Sequence, residues 1–389
     1  MTILMLNTLY YPSKVGGAEK SVQLLAEDLV QMGHKVVVAC LTDKKNEVFI
    51  HNGVKVYKFL HKNIYWAYEP KKRNANIIQK MIWHSIDIYT NLKKHNIKNI
   101  LSTEKPQLVH VNNISGFSSG ILKTIKNNNL PIVQTLRDYY YLCYKNTCYN
   151  NGNCDNLCKA CAVTSKYKLK NLDLYSNHIV GISQFIINKY QKHGLDKAKP
   201  SQIIYNALDK SNRPTFRKNK GSKKLIFGFI GSVTPAKGVE DMLKLFDHES
   251  FKPYDFQINI AGKGSPSYIN MLKKRYNSIN IEFLGFQKAN LFYQNIDALI
   301  IPSQWNEPFG RVVIEGAQYN LPIFVSKNGA LPELKNELHF VKWFEENTVL
   351  EFLKHKDELS YDYDLSRFRS KTISQAYEDL FLKLAQHEN

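Results

Sequence analysis

The sequence predicts an α/β protein of two doubly wound domains in tandem, each with a mainly parallel sheet. A chain of 389 residues, 43% of them hydrophobic, is long enough for two full cores. Each half alternates short apolar runs typical of buried strands with longer segments of helical periodicity. Between the halves, a polar, lysine-rich stretch at 208–222 indicates a linker.

The first half opens with a strand, a loop, a helix and a second strand. Strand Ile3–Asn7 leads through a Gly16-Gly17 turn into helix Glu19–Gln31, and Gly33 closes the helix before strand Lys35–Cys40. This βαβ unit implies parallel strands. Further strands are predicted at Gln107–Val111, Pro131–Thr135, His178–Ile182 and Ile203–Leu208, and helices at Ile77–Leu92 and Gln184–Tyr190.

The second half repeats the alternation after the linker. Ligands of open α/β sheets bind at the carboxyl ends of the strands, so we expect a site in a cleft between the two domains. The final segment, Ser370–Gln386, is predicted as a lone helix. The other predicted elements are strands Leu225–Ile230, Gln257–Ala261, Ile281–Leu284 and Ala298–Ile301, and helices Val239–Phe246, Tyr268–Tyr276 and one that opens near Val312.

The net charge of +19 is concentrated in the first half. Residues 1–205 contain 28 Lys and Arg against 12 Asp and Glu, or +16, and the remainder contains 25 against 22, or +3. Such an excess attracts nucleic acid, anionic lipid or a phosphorylated substrate. The segment 62–73 mixes aromatic and cationic residues, as membrane interfaces favour, and an ordinary solvated loop is an equal alternative. With no apolar run that could span a bilayer and no signal peptide, we expect a cytoplasmic protein.

Five of the six cysteines lie close together, from Cys143 to Cys161. In a cytosolic chain this density favours metal binding over disulfides. Cys148, Cys154, Cys158 and Cys161 could supply four thiolates to a structural zinc. Since only Cys158 and Cys161 have the CxxC spacing, reduced thiols packing a loop are an equal alternative.

The loops of the second half carry residues suited to a nucleotide sugar. Lys237 can neutralise a phosphate as a point charge. Glu307 and Glu315 lie eight positions apart across a Pro-Phe-Gly turn, where the free N–H groups of a helix start suit an anion. In isolation, the glutamates would be interpreted as a helix cap and a surface residue, and Lys237 as a solvated side chain. Glycines that allow close backbone approach follow two of the strands, namely Gly231, Gly262 and Gly264.

These residues belong to short motifs that occur in a fixed order along nearly the whole chain. In that order the motifs resemble glycosyltransferase family 4, a family of retaining enzymes with the GT-B fold. The motifs are Gly16-Gly17-Ala18-Glu19, Val109-His110-Val111-Asn112, Thr135-Leu136-Arg137-Asp138-Tyr139, Ile182-Ser183, Tyr205-Asn206, Phe229-Ile230-Gly231-Ser232…Lys237-Gly238, Ala261-Gly262-Lys263-Gly264, Pro302-Ser303…Glu307-Pro308-Phe309-Gly310…Glu315, and Leu321-Pro322-Ile323 followed by Gly329…Pro332-Glu333.

The resemblance implies two Rossmann-like domains facing across a cleft. We expect an acceptor-binding domain at 1–207 with a cysteine-rich insertion at 143–161, the linker at 208–222 and a donor-binding domain at 223–369. The C-terminal helix, 370–389, is expected to return to the first domain.

The resemblance also implies roles for single residues. Glu315 would bind the donor ribose, Glu307 the hexose hydroxyls and Lys237 the diphosphate. No cofactor or divalent metal is implied for catalysis, so Lys237 and helix N-termini would stabilise the departing nucleoside diphosphate of the co-substrate. Further donor contacts are expected from Gly17, Gly231, Ser232, Gly262, Gly264, Phe286, Phe309, Gly310 and Arg311.

Two positions depart from the family pattern. Ser232 stands where arginine is frequent, and Arg137 stands where histidine is frequent. Arginine cannot act as a base, so Arg137 would clamp a phosphate or the acceptor, and Asp138 would orient it or touch the acceptor hydroxyl. A local ion pair between them is the alternative. His110 is expected to be packed rather than catalytic. The predicted catalytic residues are therefore Glu307, Arg137 and Asp138.

The expected function is transfer of a hexose or N-acetylhexosamine from a nucleoside-diphosphate sugar to a lipid-linked or oligosaccharide acceptor in bacterial surface polysaccharide synthesis. We expect the basic first domain to place the enzyme peripherally on the anionic inner face of the plasma membrane. A sugar-nucleotide epimerase or soluble disaccharide synthase of the same fold is the enzymatic alternative. A basic nucleic-acid-binding protein is the non-enzymatic one, but no nucleic-acid-binding module is recognisable, so no nucleic-acid partner is expected.

Overall fold

The structure, a computed structural model, describes residues 1–13, 16–68, 75–209, 224–355 and 361–386. It divides into two compact units. Unit 1 comprises Met1–Cys148, Cys154–Ala207 and Arg369–Asn389, and unit 2 comprises Tyr149–Asn153 and Leu208–Phe368. Apart from its first two residues, the predicted linker at 208–222 lies outside the described residues. No helix in the described part of the chain is long and apolar enough to cross a membrane.

Unit 1 is built on an eight-stranded sheet. Its strands are β1 (Thr2–Leu6), β2 (Lys35–Thr42), β3 (Glu47–His51), β4 (Val54–Leu60), β5 (Leu108–Val111), β6 (Ile132–Leu136), β7 (His178–Gly181) and β8 (Ser201–Ile203). Their order is β3-β4-β2-β1-β5-β6-β7-β8, and every neighbouring pair is parallel except the β3–β4 hairpin. The chain proceeds in opposite directions from β1, so the carboxyl ends of β1 and β5 flank a topological switch point.

Six helices of unit 1 connect these strands. They are α1 (Gly17–Gln31), α2 (Ile77–Tyr89), α3 (Lys94–Glu104), α4 (Ile121–Lys126), α5 (Lys159–Tyr175) and α6 (Gln184–Lys192). The central strands β1, β2, β5 and β6 are almost continuously buried, as expected for a parallel sheet covered on both faces.

Unit 2 contains a six-stranded sheet in which every neighbouring pair is parallel. The strands β9 (Leu225–Ile230), β10 (Phe256–Ala261), β11 (Ile281–Gly285), β12 (Ala298–Ile301), β13 (Ile323–Val325) and β14 (Val341–Trp343) take the order β11-β10-β9-β12-β13-β14. This is the doubly wound order, with its switch point between β9 and β12. The helices are α7 (Val239–Phe246), α8 (Pro266–Arg275), α9 (Ala289–Tyr293), α10 (Arg311–Ala317), α11 (Leu331–Glu337) and α12 (Glu346–His355).

The last helix, α13 (Ser370–Gln386), belongs to unit 1. It packs along α1, where the hydroxyl of Ser374 donates a 2.7 Å hydrogen bond to the buried carboxylate of Asp28. The rings of Tyr377 and Phe381 lie against His110. The prediction that the C-terminal helix returns to the first domain is confirmed, as is the two-domain α/β fold.

Two of the predicted elements differ from the observed ones by three residues or more at one end. The strand predicted at Ile203–Leu208 is wrong, because β8 ends at Ile203 and the following buried residues form no regular structure. That apolar run reflects burial of an irregular segment rather than strand pairing. The helix predicted at Ile77–Leu92 ends at Tyr89, where Thr90 leaves helical geometry and its hydroxyl donates back to the Ile86 carbonyl.

Candidate active site

Two oppositely charged residues of the predicted site lie at the switch point of unit 2. Lys237 is on the loop that follows β9, and Glu307 is on the loop that follows β12. These adjacent strands lead to helices on opposite sides, so their carboxyl ends border the crevice in which ligands of this architecture bind.

Lys237 and Glu307 form an ion pair at this crevice. The Lys237 Nζ lies 2.5 Å from Oε1 of Glu307, and the Ser303 hydroxyl donates to the same oxygen at 3.0 Å. The ammonium group also lies 4.6 Å from the ring centre of Trp305, a cation–π arrangement. The side chains are 26% and 12% exposed, so solvent screens the pair only in part. Ser303 stands in one of the family motifs, but neither Ser303 nor Trp305 was among the predicted site residues.

The loop that carries Glu307 is fixed by its neighbours. Gly329 packs directly on the Glu307 backbone with φ +67°, and a Cβ there would lie 2.2 Å from the Glu307 nitrogen. The Gly329 N–H donates to the Asn306 side chain at 3.0 Å, and the Ala330 N–H donates to the Glu307 carbonyl at 2.8 Å. Within unit 2, the Asn153 side chain accepts from the Asn306 N–H at 2.8 Å. The carboxylate of Glu307 is thus presented from a preorganised backbone.

Glu315 lies one turn into α10 and is held by two side chains. The hydroxyl of Tyr293 donates to Oε2 at 3.0 Å, and Arg311 Nε donates to Oε1 at 3.2 Å. Tyr293 is 1% exposed, and burial, together with the charge of Glu315, raises its pKa well above the ordinary value. The hydroxyl therefore stays protonated and donates. Tyr293 was absent from the predicted set because it lies on a different helix, 22 positions away in sequence.

Three predicted residues lie at the start of α10. Gly310 caps the helix with φ +103°, and Arg311 is its first residue. The side chain of Phe309 is 3% exposed and packs near the ring of Phe368. Any contact of Phe309 with a ligand would therefore be made by its backbone.

The predicted glycines follow β9 and β10, where two loops run side by side. The Gly231 N–H donates to the Ala261 carbonyl at 2.9 Å. A Cβ on Gly262 would lie 1.6 Å from the Gly231 oxygen, and one on Gly264 would lie 2.5 Å from the Val233 oxygen. Close packing of the loops therefore requires Gly262 and Gly264. Contact of Gly231, Gly262 and Gly264 with a donor stays a prediction.

Two further donor-site predictions lie on exposed loops. Ser232 is exposed after β9, and Phe286 is 74% exposed after β11. The Lys263 Nζ lies 5.9 Å from the ring centre of Phe286. These surfaces are open for a ligand, and their roles stay predictions.

In unit 1, Arg137 and Asp138 follow β6 and are oriented by asparagines. Arg137 is 8% exposed and donates to Asn112 at 2.8 Å and to Asn206 at 2.6 Å. Asp138 accepts from the Asn113 side chain at 2.8 Å. Asn112 and Asn206 stand in the quoted family motifs, so a signal for them was present in the sequence.

Burial raises the pKa of two carboxyl groups that belong to the family motifs of unit 1. Burial raises the pKa of Asp138 to about 6, although the backbone N–H of Tyr140 and the charge of Lys168 oppose the shift. A carboxyl with this pKa can exchange a proton near neutral pH. Glu19 accepts from the Gly16 N–H at 2.9 Å, beside the exposed Gly17 at the start of α1, and burial also raises its pKa.

His110 lies in the core of unit 1, as expected. It is fully buried on β5, and its Nε2 lies 2.8 Å from the Thr135 hydroxyl. Burial lowers its pKa well below the ordinary value, and the Arg137 charge adds to the shift. The ring is therefore neutral and packed.

The predicted four-cysteine zinc set stays a prediction. All the cysteines are free thiols, and among the described residues no group of three or more His, Cys, Asp or Glu side chains is arranged to hold a metal ion. Cys143, which was not in the predicted set, lies beside the thiols of Cys148 and Cys161. Cys158 precedes α5 and is exposed, and Cys154 is half-buried. Sequence spacing alone did not predict that Cys143 lies beside Cys148 and Cys161.

Comparison with known proteins shows similarity over both halves of the chain. The model described as Glycosyltransferase Family 4 matches residues 15–212, and the model described as Glycosyl transferases group 1 matches residues 212–378. An uncharacterized 42.6 kDa protein in the cps region of Klebsiella pneumoniae is 32% identical over 98% of this chain and 100% of its own length.

Solved structures share the fold at low sequence identity. The structure of Anabaena HepE in complex with UDP and glucose has a TM-score of 0.60 and 16% identity, over 100% of this chain and 98% of that one. The lipopolysaccharide outer core galactosyltransferase WaaB, in its apo form, has a TM-score of 0.62 and 14% identity, over 98% of each chain.

Proposed function

Because the chain belongs to glycosyltransferase family 4, we propose that it transfers a hexose or N-acetylhexosamine from a nucleoside-diphosphate sugar, with retention of configuration, to a lipid-linked or oligosaccharide acceptor. The Lys237–Glu307 pair at the switch point of unit 2 is the observation that carries this proposal. It offers a cation for a diphosphate and a carboxylate for sugar hydroxyls within one crevice.

Donor binding would exchange the partners of this pair. The diphosphate would take the Lys237 ammonium, and the hydroxyls of the hexose would take the freed Glu307 carboxylate. Glu315, held by Tyr293 and Arg311, would accept the hydroxyls of the ribose. A carboxylate can accept from two hydroxyl groups, and both oxygens of Glu315 retain lone pairs for them.

In the proposed reaction, the bond between the anomeric carbon and the diphosphate breaks while the acceptor oxygen bonds to the same face of that carbon. The acceptor proton passes to the departing phosphate oxygen. Lys237 would stabilise the charge that develops on the diphosphate, and this requires neither a divalent metal nor a protein nucleophile. Glu307 would hold the hexose while positive charge develops at its anomeric carbon.

Arg137 and Asp138 are proposed to act on the acceptor. Arg137 is a fixed cation suited to a phosphate or to acceptor hydroxyls, because Asn112 and Asn206 hold its guanidinium. Asp138, with a pKa of about 6, would accept a hydrogen bond from the acceptor hydroxyl in its ionised form.

We place the reaction in bacterial surface polysaccharide synthesis. The relative in the cps region of Klebsiella pneumoniae supports this assignment, as does the fold shared with a lipopolysaccharide galactosyltransferase. The basic residues of 1–205 suit an enzyme that works at the anionic inner face of the plasma membrane on a lipid-linked substrate.

A thermal-shift panel of UDP-, GDP- and ADP-sugars tests the donor site. We expect one of these classes to raise Tm in the wild type and to have no effect on Glu315→Ala. Equal stabilisation of both proteins would refute the assignment. EDTA is expected to leave the shift and the turnover unchanged.

Product analysis with the stabilising donor then separates the possible reactions. Transfer that requires a lipid extract supports the proposal. An epimerase would instead convert the nucleotide sugar without any acceptor, and a disaccharide synthase would act on a free sugar or sugar phosphate.

A further inference from the structure

Helix α2 presents an apolar face that the described protein does not cover. Its first six residues, 77–82, are all exposed. Ile77, Ile78, Met81 and Ile82 are 76%, 68%, 65% and 45% exposed, and Tyr89 is 52% exposed. We call these five side chains the α2 face. At 100° per residue they fall within a sector of about 140°, so they form one stripe.

The rest of α2 is firmly attached to unit 1. Trp83 is buried, and its indole donates to the Tyr65 carbonyl at 3.0 Å. The exposed start of the helix is stabilised by a capping box, in which Asn76 and Gln79 exchange backbone and side-chain hydrogen bonds of 2.8 and 2.9 Å. The helix therefore holds its apolar face outward without needing a partner for its own folding.

Helix α5 extends this surface. Its Tyr167 ring lies 5.3 Å from that of Tyr89. Val163 and Leu174, on the same side of α5 as Tyr167, are 67% and 58% exposed. Lys166 and Lys170 are exposed on that side as well. Aliphatic, aromatic and cationic side chains therefore alternate across the two neighbouring helices.

Exposed lysines border the α2 face, namely Lys80 on α2 itself and Lys166 and Lys170 on the neighbouring α5. In the sequence, residues 62–126 contain 11 Lys and Arg against three acids, although Lys71, Lys72 and Arg73 lie outside the described residues and Lys93 is buried. Two of the acids, Asp87 and Glu104, are buried, and Glu69 lies outside the described residues. The exposed residues of α2 include Lys80 and no acid. The partner of this surface is therefore anionic as well as apolar.

We propose that the α2 face and the exposed side of α5 bind the interface of an anionic lipid bilayer, with α2 lying in the membrane plane. The 13 residues of α2 measure about 20 Å, well short of the ~30 Å hydrocarbon core, so the helix suits the interface rather than a span. Tyrosines favour headgroup depth, and lysines bind anionic headgroups. Lysine is depleted in protein–protein interfaces, which favours lipid over a protein partner.

This inference rests on the proposed function for its purpose, because the surface would hold the enzyme where a lipid-linked acceptor lies. Its physical basis is separate, since none of the residues involved belongs to the candidate active site.

Vesicle co-sedimentation of the intact protein tests the inference. The probes are sucrose-loaded vesicles of phosphatidylcholine with and without phosphatidylglycerol. We expect the wild type to bind the phosphatidylglycerol vesicles preferentially, and the double variant Ile78→Glu/Met81→Glu to bind them at least about tenfold more weakly. Lys170→Gln is expected to weaken binding by roughly fivefold.

Leu291→Glu is the control, because Leu291 is 50% exposed on α9 of unit 2 and the substitution also places a glutamate at an exposed apolar position, although it adds one negative charge where the double variant adds two. It should bind vesicles like the wild type. A thermal melt of each variant checks folding. Equal binding by all variants, or equal binding to both kinds of vesicle, overturns the inference. A dimer that Met81→Glu dissociates, with no vesicle binding by the wild type, overturns it in favour of a protein contact.

Donor binding separates this inference from the proposed function. We expect the nucleotide sugar that stabilises the wild type to stabilise Ile78→Glu/Met81→Glu equally, which supports a loss confined to the surface. Vesicle binding without any stabilisation by nucleotide sugars would overturn the proposed function and leave the membrane surface supported.

Discussion

Replacing Tyr293 with phenylalanine tests whether a buried hydroxyl prepares Glu315 for the donor. The substitution removes the 3.0 Å hydrogen bond to Oε2 and leaves Arg311 on Oε1. Hydrogen bonds to a charged group contribute about 1.5–3 kcal/mol. Because the Glu315 side chain is 20% exposed, water can replace part of this interaction. We therefore expect a stability loss of about 1 kcal/mol.

The effect on donor affinity follows from the same interaction. If the hydroxyl fixes the carboxylate toward the ribose, its loss costs about 1 kcal/mol of donor binding, or roughly a fivefold increase in KM. The chemical step occurs at the other end of the donor, so kcat should change less than twofold, an expectation for uniform binding. Initial-rate kinetics across donor concentrations measure both constants.

Tyr319→Phe provides the matched control. The ring of Tyr319 lies 5.3 Å from that of Tyr293, and its hydroxyl makes no hydrogen bond with the described residues. Removing it therefore takes a hydroxyl from the same aromatic cluster without touching Glu315. An increase in donor KM no larger for Tyr293→Phe than for Tyr319→Phe would refute the proposed positioning role.

Three further substitutions test the candidate site. Glu307→Gln frees Lys237, so we expect UDP or the matching nucleotide to bind at least as tightly while kcat falls about 100-fold or more; unchanged kcat in steady-state assays would contradict the assignment. Asp138 has a raised pKa of about 6, so the folded protein holds more protons than the unfolded chain between about pH 4 and 6, and stability falls as pH rises through that window. In the wild type the free energy of unfolding should fall by at most about 3 kcal/mol over this window, and Asp138→Asn should lack that fall, as measured by urea unfolding at several pH values; parallel pH profiles of the two proteins would contradict the expectation. Gly329→Ala should cost more than about 3 kcal/mol, because Cβ would meet the Glu307 backbone, whereas Gly285→Ala, with φ +65° and open space, should cost about 1 kcal/mol; equal losses in denaturation would refute the steric argument.

The sequence predicted the regular elements where apolar patterning and pairing coincide. β1 and α1, for example, combine a continuous apolar strand with a helical repeat of buried residues. Both strands of the β3–β4 hairpin were missed. The consecutive apolar residues of β3 are mostly exposed and show no alternation. β4 does carry an alternating pattern, with Val54 and Val56 buried, so a signal for this strand was present in the sequence. Apolar patterning also predicted too long a strand at β8, because the apolar residues after Ile203 are buried in irregular backbone.

The candidate site, like the fold, was predicted only in part from the sequence. Glu307 and Lys237 were predicted from motifs, and parallel strands bring the loops after β9 and β12 to one edge. Tyr293 was missed because its contact with Glu315 depends on a third element, α9. Gly329 stands in a family motif, but its packing against the Glu307 backbone was not predicted. Such contacts depend on how the helices pack across the sheet, and the spacing of residues in the sequence carries no information about that packing.

The Lys237–Glu307 pair links these observations to donor selection. A partly desolvated ion pair has lost hydration that its Coulomb attraction only partly restores, so both charges gain when stronger partners arrive. A nucleoside diphosphate alone can satisfy Lys237, but it would leave the Glu307 carboxylate with only the Ser303 hydroxyl. A donor that carries a sugar satisfies both ends at once. In the proposed donor site, the pair would therefore favour the intact donor over the released nucleotide, and after transfer the returning Lys237–Glu307 contact would help to expel the product.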